Sequence, residues 1–155
     1  MKNDTLNELL SGLAQTFGAQ IPFHNVIGLT VEKVTVDEVM VSFAMKPELI
    51  GNFMQGILHG GVIATVLDVA GGTLAAACLM ERYAEDHSLE EIAGRFAKLG
   101  TIDLRIDYLR PGRGERFITR ATVLRAGNKV AVTRMEMMSD VGVLIAVGTG
   151  TYLVG

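Results

Sequence analysis

The sequence predicts an α+β domain in which a curved antiparallel sheet wraps around one long central helix. Three observations carry that expectation. Residues 56–80, GILHGGVIATVLDVAGGTLAAACLM, are almost all apolar or small, with His59 near the start and Asp68 in the middle. Alternating, strand-like segments flank this stretch, two before it and four after it. A helix that is apolar all round must be buried, so the strands have to supply its surroundings.

The elements follow in order. Leu6, Leu9, Leu10, Leu13 and Phe17 recur at helical spacing, Thr5 with Glu8 makes a capping box, and Gly18 is a stop signal. An amphipathic helix is therefore expected over 5–17. Residues 21–28, with Pro22, read as a linking turn. Residues 27–34 and 38–46 read as strands; in the second, Val39, Val41, Phe43 and Met45 share a face opposite Ser42 and Lys46. Pro47 ends that run, and a polar loop through Gly51, Asn52 and Gln55 leads into the central helix, expected over 60–84. Inside it, Gly71 and Gly72 permit a close backbone approach or a kink. Residues 81–100 are polar and helix-prone, with Ser88 and Glu91 as a second capping box. Residues 101–109 alternate, Ile102, Leu104, Ile106 and Tyr108 against Thr101, Asp103, Arg105 and Asp107. Strands at 116–125, 129–138 and 143–154 follow, separated by Pro111-Gly112 and Gly114, Gly127-Asn128, and Asp140 to Gly142. Short connections make the last four strands an antiparallel meander.

At 155 residues the chain fits a single domain spanning 1–155, large enough for a real core. No basic region followed by an apolar run opens it, so no signal peptide is expected. Cys78 is the only cysteine, which suits a reducing cytoplasm. Residues 60–80 are long enough to cross a bilayer, but Asp68 at mid-span would cost about 3 kcal/mol and four glycines dilute the hydrophobicity. A membrane span is therefore rejected. The net charge of −3 is unevenly spread. Residues 95–134 hold ten Lys/Arg against Asp103, Asp107 and Glu115, a balance of +7, which leaves −10 for the rest. That pattern suits a compact polyphosphate ligand better than nucleic acid, unless the arginines are simply the solvated face of strands.

Asp68 is the residue that needs explaining, because an unpaired carboxylate in an apolar helix loses its hydration without compensation. Its context, HGGVIATVLD over 59–68, strongly resembles the signature of hotdog-fold acyl-CoA thioesterases of the phenylacetate-pathway (PaaI-like) group. There an HGG opens the central helix and a catalytic carboxylate follows nine residues after the histidine. The resemblance extends to TIDLRIDYLRPGRG at 101–114 and RAGNK at 125–129. It covers roughly three quarters of the chain, leaving out the N-terminal helix (1–20) and the 81–100 insertion after the central helix. It implies the hotdog fold, the thioesterase activity and a set of site residues.

By that resemblance the Gly60 N–H polarises the thioester carbonyl. The physics agrees, since first-turn helix amides lack internal partners, carry the positive end of the dipole, and here have no side chain to block approach at Gly60 and Gly61. Asp68 is then the nucleophile or the general base, and Thr101 stands where relatives place a hydroxyl that helps to hold the attacking water. Many relatives carry Asn or Gln fifteen residues before the carboxylate. Here that position is Phe53, so Asn52, and less so Gln55, are the substitutes. His59 is expected to support the helix start rather than act as a base. Arg110, Arg113 and Lys129 are candidates for the coenzyme A phosphates, and Met40, Met45, Met54 and Met80 for an adaptable acyl tunnel. No metal is implied, and no cofactor beyond the coenzyme A of the substrate.

Geometry adds a constraint. Gly60 and Asp68 lie eight residues apart, about 12 Å along a straight helix, too far to act on one carbonyl carbon. If both act on one substrate, the second must come from another chain, so at least a homodimer is expected, with sites at its interface; whether dimers pair into a homotetramer stays open. The apolar surroundings favour a medium- or long-chain fatty acyl group, with arylacetyl-CoA as the alternative. A hotdog enoyl-CoA hydratase would need an acid/base pair at one alkene, and His59 at the helix entrance is poorly placed for it. A non-catalytic acyl-CoA sensor would bind without turnover.

Overall fold

The computed structural model describes residues 2–155. Helix α1 (Lys2–Gln15) runs into a π-helical turn at Thr16–Gln20, followed by α2 (Pro22–Ile27). Strands β1 (Thr30–Val34) and β2 (Glu38–Ala44) come next, then the short β3 (Ile50–Asn52) and β4 (Ile57–Leu58). The central helix α3 (Gly60–Tyr83) precedes α4 (Leu89–Phe96), and the chain closes with β5 (Gly100–Tyr108), β6 (Arg116–Ala126), β7 (Val130–Ser139) and β8 (Leu144–Leu153). The six long strands form one antiparallel sheet in the order β1-β2-β6-β7-β8-β5, wrapped around α3.

Four local expectations give way, the first being the helix start: α1 begins at Lys2, so the Thr5–Glu8 pair lies inside it instead of capping it. The linking turn at 21–28 is in fact α2, with Pro22 at its first position, where a missing N–H costs nothing and the fixed φ favours helix. The polar loop before α3 folds back as the β3–β4 hairpin. The four-strand meander holds only for β6, β7 and β8, because β5 pairs with the far side of β8 instead of with β6. Residues 109–115 make this possible. Extended, those residues reach about 23 Å, more than the three strand spacings of roughly 14 Å that separate β5 from β6. Pro111 and Gly112 therefore punctuate a crossover, not a hairpin.

One face of the sheet meets α3 and the other meets solvent. Phe117, Thr119 and Ala121 of β6, Met135 and Met137 of β7, and Ala146 of β8 are wholly buried beneath the helix. On the outer face two arginines of the basic segment are paired, Arg116 with Glu32 and Arg120 with Glu38, which also takes Lys33. Ser88 caps α4 with both halves of the expected capping box in place. By length and composition α3 could cross a membrane, but 67% of its apolar window lies buried inside this fold. Two of the methionines expected to line an acyl tunnel lie apart, Met80 buried beside α1 and α4 and Met54 82% exposed on the hairpin tip, while Met135 and Met137 fill the core.

Candidate active site

The mouth of α3 is built by its own first residues. His59 is the N-cap, in extended backbone geometry, and its Nδ1 accepts the Gly61 N–H at 2.8 Å. That nitrogen therefore carries no proton in this arrangement, and the imidazole proton sits on Nε2. The His59 N–H donates to the Leu49 carbonyl at 2.8 Å, which docks the helix entrance on β3. Gly51 lies so close that an added Cβ would stand 2.7 Å from the His59 Cα. His59 thus supports the helix start, and Gly61 spends its amide on that support. The Gly60 N–H is left, and among the described residues no acceptor meets it. Tyr108 of β5 leans its ring against Gly60 and donates its hydroxyl to the Gly60 carbonyl at 3.1 Å. The cleft beside the mouth, about 370 Å³, is lined by Ile57, Leu58, Ile63, Tyr108 and Arg110 among others.

Two turns further along, Asp68 sits on a stripe of α3 that the rest of the chain leaves uncovered. Gly61, Ala64, Thr65 and Asp68 recur at i, i+3, i+4 and i+7, and all are half-buried or exposed, whereas residues 69–80 are buried without a break. Asp68 is therefore neither dry nor unpaired. Its Oδ1 accepts the Thr101 hydroxyl at 2.9 Å.

The Thr101 contact depends on an irregularity of β5. Strict alternation would turn Thr101 away from α3, on the side opposite Leu104, Ile106 and Tyr108. The register shifts between Thr101 and Asp103, a bulge that inserts one residue and reverses the parity. Thr101 then faces the helix together with Leu104 and Ile106, and Ile102 turns outward, 57% exposed.

The remaining residues singled out in the sequence are dispersed. The Asn52 side chain closes its own hairpin by accepting the Met54 N–H at 3.1 Å. Gln55 is clamped by Arg113, whose two terminal nitrogens donate to the Gln55 carbonyl and to Oε1, each at 2.9 Å. Arg110 donates to the Leu144 carbonyl at 3.0 Å. Arg110 and Arg113 lie at the mouth end of the sheet. Lys129, beside Arg125 on the β6–β7 turn, lies at the other end, the length of β6 away. One chain cannot bring these three cations together on a single phosphate. Two residues that the sequence did not mark complete the picture. Tyr108 holds the Gly60 carbonyl, and Tyr152 of β8 donates its hydroxyl to the Asp68 carbonyl at 3.2 Å. A tyrosine in a strand looks like packing from sequence alone; its hydroxyl partner appears only when strand and helix are assembled. Among the described residues no group of three or more His, Cys, Asp or Glu could hold a metal ion.

Residues 55–146 match the Thioesterase superfamily. The chain belongs to the thioesterase superfamily. It is similar to the medium/long-chain acyl-CoA thioesterase YigI of Escherichia coli K12, 43% identical over 97% of both chains, and equally to YigI of Salmonella typhimurium LT2. A crystal structure of a Shewanella oneidensis protein related to the thioesterase superfamily superposes with a TM-score of 0.92 at 52% identity, covering 97% of each chain. The expected hotdog fold, a sheet wrapped on a central helix, is therefore the fold of this thioesterase-superfamily chain.

Proposed function

We propose that this chain is an acyl-CoA thioesterase that hydrolyses medium- or long-chain fatty acyl-CoA to the free acid and coenzyme A. The observation that carries the reading is the pairing of an unengaged Gly60 N–H at a helix mouth with an uncovered Asp68 carboxylate held by Thr101. Its likeness to YigI, named for medium- and long-chain acyl-CoA, supports the substrate class.

In this reading the thioester carbonyl docks on the Gly60 N–H, a donor of the kind that contributes about 2.7–4 kcal/mol to an oxyanion. Thr101 occupies one carboxylate oxygen and leaves the other for water. Asp68 takes a proton from that water as its oxygen attacks the carbonyl carbon. The tetrahedral intermediate collapses, the carbon–sulfur bond breaks, and the proton passes to the departing thiolate. The cycle calls for no metal and no cofactor beyond the coenzyme A of the substrate.

The two half-sites stand about 12 Å apart along α3, so the working site joins the mouth of one chain to the carboxylate of another. An edge suited to that pairing exists. The outer edge of β5 is unpaired in the sheet, and Ile102, Tyr108 and Leu109 on and beside it are exposed. We place the two-fold axis there, giving a homodimer with two equivalent sites, and assign the protein to the cytoplasm.

A thiol-release assay across acyl chain lengths tests the activity, with phenylacetyl-CoA, enoyl-CoA and an intact-ligand measurement as further arms. Turnover highest on medium- and long-chain acyl-CoA and lost in Asp68→Ala is the expected result; wild type and Asp68→Ala equally inert on every substrate would sink the reading. The shared site has its own test. Asp68→Ala and Gly60→Pro should each be nearly inactive alone, but exchanging subunits between them rebuilds one site per heterodimer. About a quarter of wild-type activity should return, since half of randomly exchanged dimers are mixed and one of two sites is whole. No return after proven exchange would show that the site does not span two chains.

A further inference from the structure

Tyr152 has no part in the reaction written above, yet it is bonded to the residue at its centre. The side chain is 1% exposed. Its Oη donates to the Asp68 carbonyl at 3.2 Å, an oxygen that an α-helix already offers to the amide four residues on. A carbonyl has two lone pairs and accepts both donors. In the β5–β8 ladder Tyr152 lies directly opposite Thr101, the residue whose hydroxyl holds the Asp68 carboxylate. One cross-strand pair therefore grips residue 68 twice, by its main chain and by its side chain.

The volume around Tyr152 is kept open for the hydroxyl as well as for the ring. A Cβ added at Gly71 would stand 2.4 Å from the Tyr152 Oη and 2.7 Å from the Thr133 Oγ1. A Cβ at Gly150 would also stand 2.4 Å from that oxygen, and one at Gly72 would press on the ring edge at 3.3 Å. Both glycines of the Gly71-Gly72 pair in α3, costly to a helix interior, thus have a packing reason. Burial, and then the nearby Asp68 charge, push the tyrosine hydroxyl well above its ordinary value, so it stays a proton donor.

We propose that Tyr152 is a positioning residue for Asp68, its hydroxyl tying the Asp68 turn of α3 to the β5–β8 ladder so that the carboxylate and Thr101 stay in register. The inference rests on the assignment of Asp68 as the reactive carboxylate. Losing the tether lets the turn shift against the strand, and displacements well under 1 Å at a reacting group are felt in rate more than in binding.

Tyr152→Phe is the test, because it keeps the ring and deletes only the donor. The expected result is a kcat five- to thirtyfold lower with KM within twofold of wild type, in a protein that melts as a single folded species. In the Thr101→Ala background the same change should cost less than in wild type, since both hydroxyls serve one carboxylate. Isotope-edited NMR of the Asp68–Val69 peptide supplies a readout independent of turnover: the Asp68 carbonyl resonance moves when the hydroxyl bond is lost. An unchanged kcat for Tyr152→Phe, beside an inert Asp68→Ala, would overturn the inference alone. So would a raised KM at wild-type kcat, or an unmoved carbonyl resonance. An active Asp68→Ala would instead overturn the assignment of Asp68, and this inference with it.

Discussion

The two halves of α3 are alike in composition and opposite in surroundings. From Gly60 to Asp68 the helix has a stripe that the chain leaves uncovered, bearing Gly61, Ala64, Thr65 and Asp68. From Val69 to Met80 every residue is buried. An apolar helix needs no uncovered half for stability; the chain would lose less by covering all of it. The open half is where the unengaged amide and the carboxylate lie, and the closed half anchors them to the sheet. In the proposed reading function and stability are thus segregated along one helix, and a substitution's effect depends on which half it falls in.

The sharpest way to break this contrast is to move the acid. Ala75 lies seven residues past Asp68 at nearly the same helical angle, yet it is 0% exposed. Ala75→Asp would bury an unpaired charge at a cost of several kcal/mol, against a total stability of about 5–15 kcal/mol. Loss of soluble folded protein is expected, scored by circular dichroism and expression yield; a folded Ala75→Asp protein would show the two halves to be less different than their burial indicates. Next comes Gly60→Pro. The first helical position accepts proline, and His59, at φ −63° and ψ 135°, already has the extended geometry required before one. The fold should persist while kcat falls by about 10²–10³, the loss of one oxyanion donor. Steady-state kinetics beside a melting curve would reveal either outcome.

Smaller effects should come from outside α3. Ser88→Ala removes the α4 cap and should cost about 1 kcal/mol in denaturant titrations without touching kcat. The Ser88 N–H and hydroxyl hold the Glu91 carboxyl below its ordinary value. A carboxyl lowered in the folded state contributes stability above its unfolded value of about 4.5, and loses it as pH falls through the lower folded value. Ser88→Ala keeps the backbone N–H, the larger cause, and removes only the hydroxyl, so it should flatten the acid limb of the stability curve below that pH in part. Equal pH slopes in the two proteins would show that the hydroxyl contributes nothing through Glu91, the backbone N–H being common to both.

Much of this was legible in the sequence because it is local. The capping box at Ser88, the start of α3 at Gly60 and the strands after it follow from spacing and residue type within a few positions. The HGG-to-Asp spacing pointed to the family to which the chain belongs, and the 12 Å argument needed only the rise of a helix. What no local pattern showed shares a different cause. The place of β5 beyond β8 depends on how far residues 109–115 reach, which no local pattern encodes. Arg113 and Gln55 looked like separate ligand contacts until the crossover brought them together. The Asn52 side-chain oxygen takes the amide two residues on, a turn contact that appears only once the β3–β4 hairpin is formed.

By itself, then, the sequence determined the long buried helix, the antiparallel character of what surrounds it, and the spacing of Gly60 from Asp68. All of these are set by covalent geometry and side-chain periodicity along one stretch of chain. Only the tertiary structure decided which strand faces Asp68 and with which side chain. A single bulge after Thr101 turns that hydroxyl inward, and the β5–β8 register sets Tyr152 beside it. Strand register is a balance of contacts made by residues far apart in sequence, and a one-residue slip exchanges every side chain between faces. That is why the chemistry of this helix is written in its own residues, and its aim in those of the sheet.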